Sequence, residues 1–327
     1  MLHTSDGKLA TLVSSPFAAE SLSDAEGFVV LTSPDGTDAD ADAEVAARLA
    51  SLPCVVIARG RSPGARPPMA DVVPEDGVAT VDDLLRTIGE NPTAATSLAM
   101  LLRHGHHSLG PGLVAESAVF SLLQSGVEFT TWRSSRTIGP EAPEAQAPVR
   151  LERQGDRLDI VLNRPQVRNA LNRSMRDGLL NGLALAGADP TLTHIVLRGE
   201  GPAFSSGGDL DEFGTFADPA SAHLVRLTTS IGRAIHELGP RLSVQVHGPC
   251  AGSGVELAAF AAHVVARPDF TATLPEVQLG LIPGAGGTVS ITRRVGRHRT
   301  ALLALSGARI DATTALGWGL VDEVVRA

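Results

Sequence analysis

The chain has 327 residues and a formal net charge of −9, and 43% of its residues are hydrophobic. This length and apolar content suffice for one large domain or two modest domains with a buried core. The acidic balance disfavours a nucleic-acid partner, because phosphate binding requires clustered positive charge. No apolar run approaches the roughly 20 residues that span a bilayer, and the N-terminus does not resemble a signal peptide, so we expect a cytoplasmic protein with no membrane association.

Cysteine, histidine and aspartate patterns predict neither a disulfide nor a metal site. The two cysteines, Cys54 and Cys250, lie in apolar surroundings far apart in the sequence, which favours buried free thiols. Three histidines lie at 104–107 (HGHH), but no further ligand stands nearby in the sequence. Residues 38–42 begin like a calcium-binding loop, yet Ala43 occupies the position where that loop requires glycine. We therefore expect no metal.

The first predicted elements alternate between strand and helix. Short apolar runs at 27–33 (GFVVLTS) and 54–59 (CVVIAR) predict buried strands, and the Ala/Glu/Leu pattern at 42–52 predicts a helix between them. Helical spacing returns after a loop rich in proline, glycine and arginine, in three stretches: 80–88, 92–103 and 112–132. The first part of the chain is therefore predicted to begin as an α/β unit and to end in helices.

A stretch rich in proline, alanine and glutamate, 138–148 (IGPEAPEAQAP), has no apolar periodicity and is typical of an exposed linker. It divides the sequence into an N-terminal domain of α/β and helical character, 1–137, and a C-terminal domain, 149–327. We call these two parts the N-terminal half and the C-terminal half.

Strand and helix predictions alternate again in the C-terminal half. Strands are predicted at 159–162 and 194–198, on either side of a helix at 172–186. A third strand at 243–246 leads into a glycine-rich loop and a helix that begins near Gly254. This alternation predicts an α/β fold.

Three glycine-rich segments of the C-terminal half contain the residues best suited to chemistry: 203–210 (AFSSGGDL), 247–257 (HGPCAGSGVEL) and 274–288 (LPEVQLGLIPGAGGT). Paired glycines leave backbone N–H groups free to point at a ligand, and a helix N-terminus favours anions. A carboxylate among apolar residues, as at Glu276, would have a raised pKa and suit proton transfer near neutral pH. Taken singly, each segment also fits an ordinary loop, a glutamate favoured by the helix dipole or a solvated side chain.

The order of these segments resembles one enzyme family. They are preceded by 163–172 (NRPQVRNALN) and followed by 305–307 (LSG) and 319–322 (GLVD). Together the motifs resemble the crotonase (enoyl-CoA hydratase/isomerase) superfamily across 149–327. The resemblance implies a crotonase-like ββα superhelix in the C-terminal half, and an acyl thioester of coenzyme A as the substrate.

The same resemblance implies four catalytic residues. The N–H groups of Gly208 and Ser253 would form an oxyanion hole for the thioester oxygen. Glu256 and Glu276 match the glutamate pair that holds a water molecule in hydratase members of the family. We therefore expect a lyase that hydrates a 2-enoyl-CoA to the 3-hydroxyacyl thioester, with Glu256 orienting the water and Glu276 protonating C2. It would need no cofactor other than the coenzyme A of its substrate.

Coenzyme A itself, by resemblance, would run past the backbone of four residues: Arg168, Ala170, Gly208 and Leu210. Lys8 is the chain's single lysine, so arginine would have to supply side-chain contacts to phosphate. Arg168 is a candidate for such a contact, although its position also fits a solvated surface arginine.

The N-terminal half has two interpretations. The resemblance ends at 324–327, whereas typical members continue as helices that complete the acyl pocket and build a trimer, so we expect these helices to be missing. Segments 91–95, 112–117 and 125–129 look like that helical region moved upstream. The N-terminal half is then either a degenerate crotonase-like unit that covers the substrate pocket or an unrelated interaction domain. The family's habit predicts a homo-oligomer, either a trimer or a hexamer.

Other reactions stay open, because the family uses one oxyanion hole for several of them. They are enoyl-CoA isomerisation, decarboxylation, thioester hydrolysis and cofactor-free oxygenation. A non-catalytic partner subunit that binds CoA thioesters is a further alternative. Isomerisation needs a single base, so the presence of a second glutamate, Glu256, is what favours hydration.

Overall fold

The computed structural model describes most of the chain, in these ranges: 2–3, 15, 17–18, 29–32, 47–58, 69–105, 108–137, 146–216 and 218–325. The calcium-like segment 38–42, two of the three histidines at 104–107, and residues 138–145 of the predicted linker lie outside these ranges.

Three described strands of the N-terminal half form a parallel sheet in the order β1-β2-β3. They are β1 (Leu2–His3), β2 (Val29–Thr32) and β3 (Val55–Ala58). Every residue of β3 is buried, as expected for a short run of β-branched and small apolar side chains. The strands predicted at 27–33 and 54–59 are thus confirmed over the part of each that the structure describes.

Helices follow this sheet in the N-terminal half: α1 (Val81–Glu90), α2 (Pro92–His104), α3 (Leu109–Gln124) and α4 (Val127–Ser134). Thr80 and Asp83 form a reciprocal capping box at the start of α1, and Pro92 occupies the first turn of α2, where it costs no hydrogen bond. The single helical stretch predicted at 112–132 is wrong in one respect. It is two helices, because Gly126 adopts an extended conformation between α3 and α4.

The C-terminal half is built on a six-stranded sheet in the order β12-β9-β7-β6-β5-β4. Its strands are β4 (Val149–Gln154), β5 (Arg157–Leu162), β6 (His194–Gly199), β7 (Leu242–Val246), β9 (His263–Ala266) and β12 (Glu323–Val324). β4 and β5 pair antiparallel, and the other neighbours pair parallel. The three strands predicted from the sequence are confirmed as β5, β6 and β7.

A smaller sheet has the order β8-β10-β11, with strands β8 (Pro249–Ala251), β10 (Thr271–Thr273) and β11 (Ile310–Asp311). The helices of this half are α5 (Arg173–Ala188), α6 (Pro219–Thr228), α7 (Ile231–Leu238), α8 (Ser253–Ala258), α9 (Gly287–Val295), α10 (Arg297–Ser306) and α11 (Ala312–Trp318). Short 3₁₀ turns lie at Pro165–Val167, Gly239–Arg241 and Glu276–Leu279. Strands and helices are interspersed along this half, which is the α/β architecture that the sequence predicts.

Helices of the N-terminal half pack directly on the C-terminal half. Helices α1 and α2 contact α10, α3 contacts α6 and α9, and α4 contacts the 3₁₀ turn at Glu276–Leu279. Buried side chains of both halves, such as Leu98 and Leu302, belong to one hydrophobic cluster. Within the described ranges, no helix is long and apolar enough to cross a membrane.

Candidate active site

The loop at 205–210 is held by the loop that precedes α5. Asn169, fully buried and in the left-handed region with φ 54°, accepts the Arg164 N–H at 2.8 Å and donates to the carbonyls of Glu200 and Ala203 at 2.9 Å each. An amide side chain can serve one donor and two acceptors in this way. The Ser205 hydroxyl also donates to the Asn169 carbonyl at 2.9 Å, so the predicted glycine loop is fixed against this part of the chain.

Backbone pairing in this loop leaves the Gly208 N–H without a described partner. The Leu171 N–H donates to the Gly207 carbonyl at 2.8 Å, and the Asp209 N–H donates to the Leu171 carbonyl at 3.0 Å. Gly208 lies between these two bonds, and among the described residues its own N–H has no acceptor. This N–H is available to a ligand.

A second unpaired N–H lies close to the first. Ser253 is the first residue of α8, so its N–H has no partner within the helix, and no described residue accepts it. Gly207 has φ 96°, and a Cβ on it would lie 2.8 Å from the Ala251 carbonyl oxygen and 3.7 Å from the Ser253 nitrogen. The two chain segments that carry the free N–H groups are thus neighbours in space.

Glu256 lies in the first turn of α8 and is only 1% exposed. Its Oε2 accepts the N–H groups of Ala285 and Gly287, each at 2.8 Å. The carboxylate thereby orients the glycine-rich loop that enters α9, and it also benefits from the positive end of that helix. No described cation forms an ion pair with it.

Glu276 begins the 3₁₀ turn after β10 and is 6% exposed. Its Oε2 is buried, and no described residue donates to it. A Cβ at Gly252, where φ is 47°, would collide with Glu276 Oε1, so glycine at 252 makes room for the carboxyl group. Glu276 Oε2 is therefore free for a substrate or a water molecule.

A third buried acid, Glu116 on α3, was missed by the sequence analysis. It is 2% exposed, and its Oε1 accepts the Gly286 N–H at 2.6 Å. Its Oε2 accepts the Thr288 N–H at 2.8 Å and the Thr288 hydroxyl at 2.6 Å. Glu116 thus accepts hydrogen bonds from Gly286 and Thr288, and Glu256 accepts them from Ala285 and Gly287, so the two acids bind alternate residues of one loop. The signal that could have revealed it is a carboxylate within the apolar helical stretch GLVAESAVF.

Burial raises the pKa of all three carboxyl groups, because the low-dielectric interior disfavours the charged form. The pKa of Glu256 rises to about 7. The pKa of Glu116 rises to about 8, and the charge of Glu256 adds to the effect of burial there. Burial and the charges of Glu256 and Glu116 raise the pKa of Glu276 well above its usual range. The cluster therefore retains protons near neutral pH, so one carboxyl can donate while another accepts.

A cavity of about 490 Å³ unites these groups. Both free N–H residues and both predicted acids line it: Gly208, Ser253, Glu256 and Glu276. The N-terminal half supplies another part of the wall, from α3 and α4: Phe120, Gln124, Phe129, Thr130, Arg133 and Ser134. The structure thus brings the four predicted catalytic residues together under a cover of helices from upstream in the chain.

An aromatic group lies between that cover and the free N–H of Gly208. Phe213 lies 6.4 Å from Phe120 and 6.5 Å from Trp132, measured between ring centroids, in edge-to-face arrangements. A Cβ on Gly208 would lie 2.5 Å from the Phe213 ring. Glycine at 208 is therefore required by the close approach of this ring.

Of the four residues predicted to contact coenzyme A, only Gly208 lines the cavity among the residues described. Arg168 is exposed, with φ 52°, and its carbonyl accepts the Ser206 N–H at 2.8 Å. The Ala170 carbonyl accepts Arg164 Nη1 at 2.6 Å. Arg168, Ala170 and Leu210 are partly or fully exposed at the surface, and their contact with coenzyme A stays a prediction.

Cys54 and Cys250 are both buried and free, as predicted. Burial raises the pKa of the Cys250 thiol to about 12, which leaves it protonated and unreactive. Among the described residues, no group of three or more His, Cys, Asp or Glu side chains is arranged so that it could hold a metal ion.

The part of the chain that carries the four predicted catalytic residues is similar in sequence to known enzymes. A family model described as enoyl-CoA hydratase/isomerase matches residues 152–327. The 2,3-dehydroadipyl-CoA hydratase of Escherichia coli is 35% identical over 174 residues, which are 53% of this chain and 68% of that protein. The enoyl-CoA isomerase/hydratase fer4 of Mycosarcoma maydis is 32% identical over 178 residues, 50% of this chain and 64% of that protein.

Solved structures of enoyl-CoA hydratases are also similar to this chain. The enoyl-CoA hydratase from Thermoplasma volcanium matches with a TM-score of 0.52 and 38% identity, over 55% of this chain and 72% of that one. An enoyl-CoA hydratase subunit from Geobacillus kaustophilus matches with a TM-score of 0.51 and 31% identity, over 54% and 68% of the two chains. The family match begins at residue 152, so helices α1 to α4 lie outside it even though two of them line the cavity.

Proposed function

The chain belongs to the enoyl-CoA hydratase/isomerase family, and from that premise we propose that it hydrates a 2-enoyl thioester of coenzyme A to the 3-hydroxyacyl thioester. One observation carries the proposal. Two unpaired backbone N–H groups, of Gly208 and Ser253, line the same cavity as two buried carboxyl groups, of Glu256 and Glu276.

The proposed reaction begins with the thioester oxygen bound by the two N–H groups. A water molecule held between the glutamates attacks C3, and the electrons of the double bond move onto the thioester oxygen as an enolate. The Gly208 and Ser253 N–H groups stabilise this charge, and a donor of this kind is typically worth on the order of 10²–10³ in rate. The enolate then collapses, and C2 takes a proton.

The acids divide two tasks in this reaction. Glu256, fixed by two N–H donors, orients the water. Glu276, whose Oε2 is free, delivers the proton to C2. The proton released from the water returns to the carboxyl pair, so the enzyme ends each cycle in its starting protonation state. Burial and the neighbouring carboxylates raise the pKa of Glu276 well above its usual range, which supports its role as the proton donor.

Coenzyme A enters the proposal as part of the substrate, with its adenine and pantetheine running past Arg168, Ala170, Gly208 and Leu210. No further cofactor takes part in the proposed steps. The family resemblance also leads us to propose a cytoplasmic homo-oligomer, a trimer or a hexamer. Light scattering on the purified chain after size-exclusion chromatography measures that mass, and a monomer would contradict it.

Isomerisation of a 3-enoyl thioester to the 2-enoyl thioester is the second candidate. A specific observation favours it: Glu276 lines the cavity and its Oε2 has no described donor. A single base at Glu276 would suffice to take a proton from C2 and return it to C4 while the oxyanion hole holds the dienolate.

Glu256→Gln separates the two candidates. Hydration is followed by loss of the enoyl absorbance of crotonyl-CoA, and isomerisation by its appearance from a 3-enoyl-CoA. If hydration is the function, the variant loses about 10²–10⁴ of the hydration rate. Glu90→Gln, on an exposed residue of α1, is the matched control and should retain full activity.

The other outcomes are equally clear. A wild-type chain that isomerises and does not hydrate, with Glu256→Gln nearly unaffected, would support the isomerase. A chain that binds acyl-CoA yet converts none of the thioesters would contradict both enzymes and favour a non-catalytic partner subunit.

A further inference from the structure

Arg226 stands between the main cavity and a second one. It lies on α6 and lines both the 490 Å³ cavity and an adjacent cavity of about 180 Å³. Gly284 and Ala285, from the loop that Glu256 holds, also line both cavities. An acyl chain whose thioester end lies beside the two glutamates therefore has a route past Arg226 into the second cavity.

The Arg226 guanidinium is held in place by neutral groups. Its Nε donates to the Ser117 hydroxyl at 3.1 Å, and its Nη2 donates to the Ser117 carbonyl at 3.4 Å and to the Ser121 hydroxyl. Its plane also lies over the Phe120 ring, with 4.8 Å between Cζ and the ring centroid. These contacts fix the direction of the group without neutralising it.

One edge of this guanidinium is unused. No described residue accepts a hydrogen bond from Arg226 Nη1, and no described carboxylate forms an ion pair with Arg226. Glu116, whose charge acts on Arg226, has both oxygens occupied by Gly286 and Thr288. Burial lowers the pKa of Arg226 to about 10, which still leaves it charged at neutral pH.

Arg176 provides an internal comparison. It is the other arginine that lines both cavities, and it donates to Asp177 from Nε at 3.0 Å and from Nη2 at 2.9 Å. Its charge is therefore paired. Arg226 is the arginine of this pair that forms no ion pair with a described residue, although a half-buried arginine ordinarily pairs with an anion.

The remaining wall of the second cavity is suited to methylene groups. It includes five aliphatic residues: Leu113, Val225, Leu227, Ile231 and Leu257. An acyl chain would gain from burying apolar surface there, at about 25 cal/mol per Å². Its far end would then lie in a space with three charged residues: Arg176, which pairs with Asp177, Glu116, whose oxygens accept hydrogen bonds from Gly286 and Thr288, and Arg226.

We propose that Arg226 binds a carboxylate at the far end of the acyl chain, so that the preferred substrate is an enoyl thioester that carries a second acid group. The inference rests on the proposed function and specifies its substrate class. The two N–H groups of Nη1 would donate to the carboxylate oxygens, as charge-assisted hydrogen bonds that a methyl-terminated chain does not form.

Matched substrate pairs test the inference. Each pair consists of two 2-enoyl-CoA thioesters of equal chain length, one ending in a methyl group and one in a carboxylate, with several lengths compared. The full chain is expected to show a kcat/KM at least about 10-fold higher for the carboxylate at one or more lengths. Arg226→Gln should reduce that ratio by about 10- to 100-fold, and Arg226→Lys should restore part of it.

The ratio separates recognition from structure. If Arg226 only joins α6 to α3, its replacement lowers kcat/KM for both members of a pair equally, which would overturn the inference. Arg309→Gln removes the same charge from an exposed position and should leave the ratio unchanged. A wild-type chain that hydrates both members equally well would also overturn the inference while leaving the proposed hydration intact.

Failure of the hydratase proposal has its own signature. If no enoyl thioester is hydrated, calorimetric binding of the matched saturated acyl-CoA pair decides the inference. Tighter binding of the carboxylate member, lost in Arg226→Gln, would support it. Equal dissociation constants in the wild-type chain would overturn it.

Discussion

The two halves of the molecule contribute to one cavity in different ways. In the C-terminal half, Gly208, Ser253, Glu256 and Glu276 each lie in a short motif, and each is positioned largely by residues near it in the fold. In the N-terminal half, α3 and α4 bring Glu116 and several wall residues without any motif. The proposed reacting groups can thus be recognised in short sequence motifs. The walls that enclose them depend on packing between residues far apart in the sequence.

Glu256 and Glu116 make this difference concrete. Both are buried carboxyls that accept N–H groups of the same loop at 2.6–2.8 Å. Glu256 reaches the loop from a helix in the same half, 29 to 31 residues away, and Glu116 reaches it across 170 to 172 residues. Equal contacts can therefore arise from a recognisable motif or from tertiary packing alone.

Glu276→Gln tests the motif side of the comparison and should have the largest effect. The amide cannot deliver the proton to C2, so kcat for crotonyl-CoA hydration should fall by about 10²–10⁴. Stopped-flow or steady-state loss of enoyl absorbance measures it. A variant with more than half of the wild-type kcat would remove Glu276 from the reaction. Glu323→Gln, an exposed change in the same half, controls for the loss of charge.

The pH dependence of the free energy of unfolding tests whether burial raises the pKa of the buried acids. An acid whose pKa is higher in the folded state than in the unfolded state makes its full contribution to stability below the unfolded pKa. That contribution is lost as the pH rises through the folded pKa. For Glu256 the window runs from about 4.5 to about 7. The free energy of unfolding should fall by on the order of 3 kcal/mol across it.

Urea unfolding of wild type and Glu256→Gln at pH 5 and pH 8 isolates this contribution. The wild-type chain should lose more stability between the two pH values than the variant does. Parallel losses in the two proteins would mean that Glu256 titrates normally in the folded state.

Glu116→Gln tests the N-terminal side. The amide places an N–H donor opposite an N–H donor of the loop, so the unfolding free energy should fall by about 1–3 kcal/mol. Because the same loop orients Glu256, kcat should also fall, by roughly 10-fold or more. Glu90→Gln on the same half is the control. Loss of stability with full kcat retained would show that the N-terminal half supports the fold without shaping the site.

Gly280→Ala tests the contact between the two halves, and of these substitutions it should have the smallest effect on activity. Gly280 has φ 72°, and a Cβ there would lie 2.5 Å from the Phe129 backbone nitrogen on α4. Relief of that overlap should cost about 1–3 kcal/mol and raise KM, because α4 forms part of the cavity wall. Gly89→Ala, on α1 with open space around it, should instead stabilise by about 0.5–1 kcal/mol. Equal thermal midpoints for the two variants would contradict a tight contact at α4.

The predictability of each feature follows from how locally it is determined. The strands β5, β6 and β7 and the helix α5 were predictable, since apolar periodicity and the Asn172 cap lie within the segments themselves. The break between α3 and α4 was not, because Gly126 fits a helix C-terminus, a helix interior or a turn equally well by sequence. Family motifs identified the loops that carry the free N–H groups.

The sequence around Glu116 shows only a carboxylate within an apolar helical stretch, and the sequence around Arg226 gives no sign that this arginine lies beside a cavity. Each becomes significant only because α3 packs on α6 and on the loop before α9, and no short pattern encodes that packing. A carboxylate and an arginine on helices are ordinarily solvated, so their burial beside a cavity was visible only in three dimensions.

Hydration of a 2-enoyl-CoA in water enriched in heavy oxygen tests the central claim most directly. Mass spectrometry of the product should show one heavy oxygen at C3, formed by the wild-type chain and lost in both Glu256→Gln and Glu276→Gln. A thioester recovered without heavy oxygen in the acyl chain, or incorporation unaffected by both substitutions, would contradict the account.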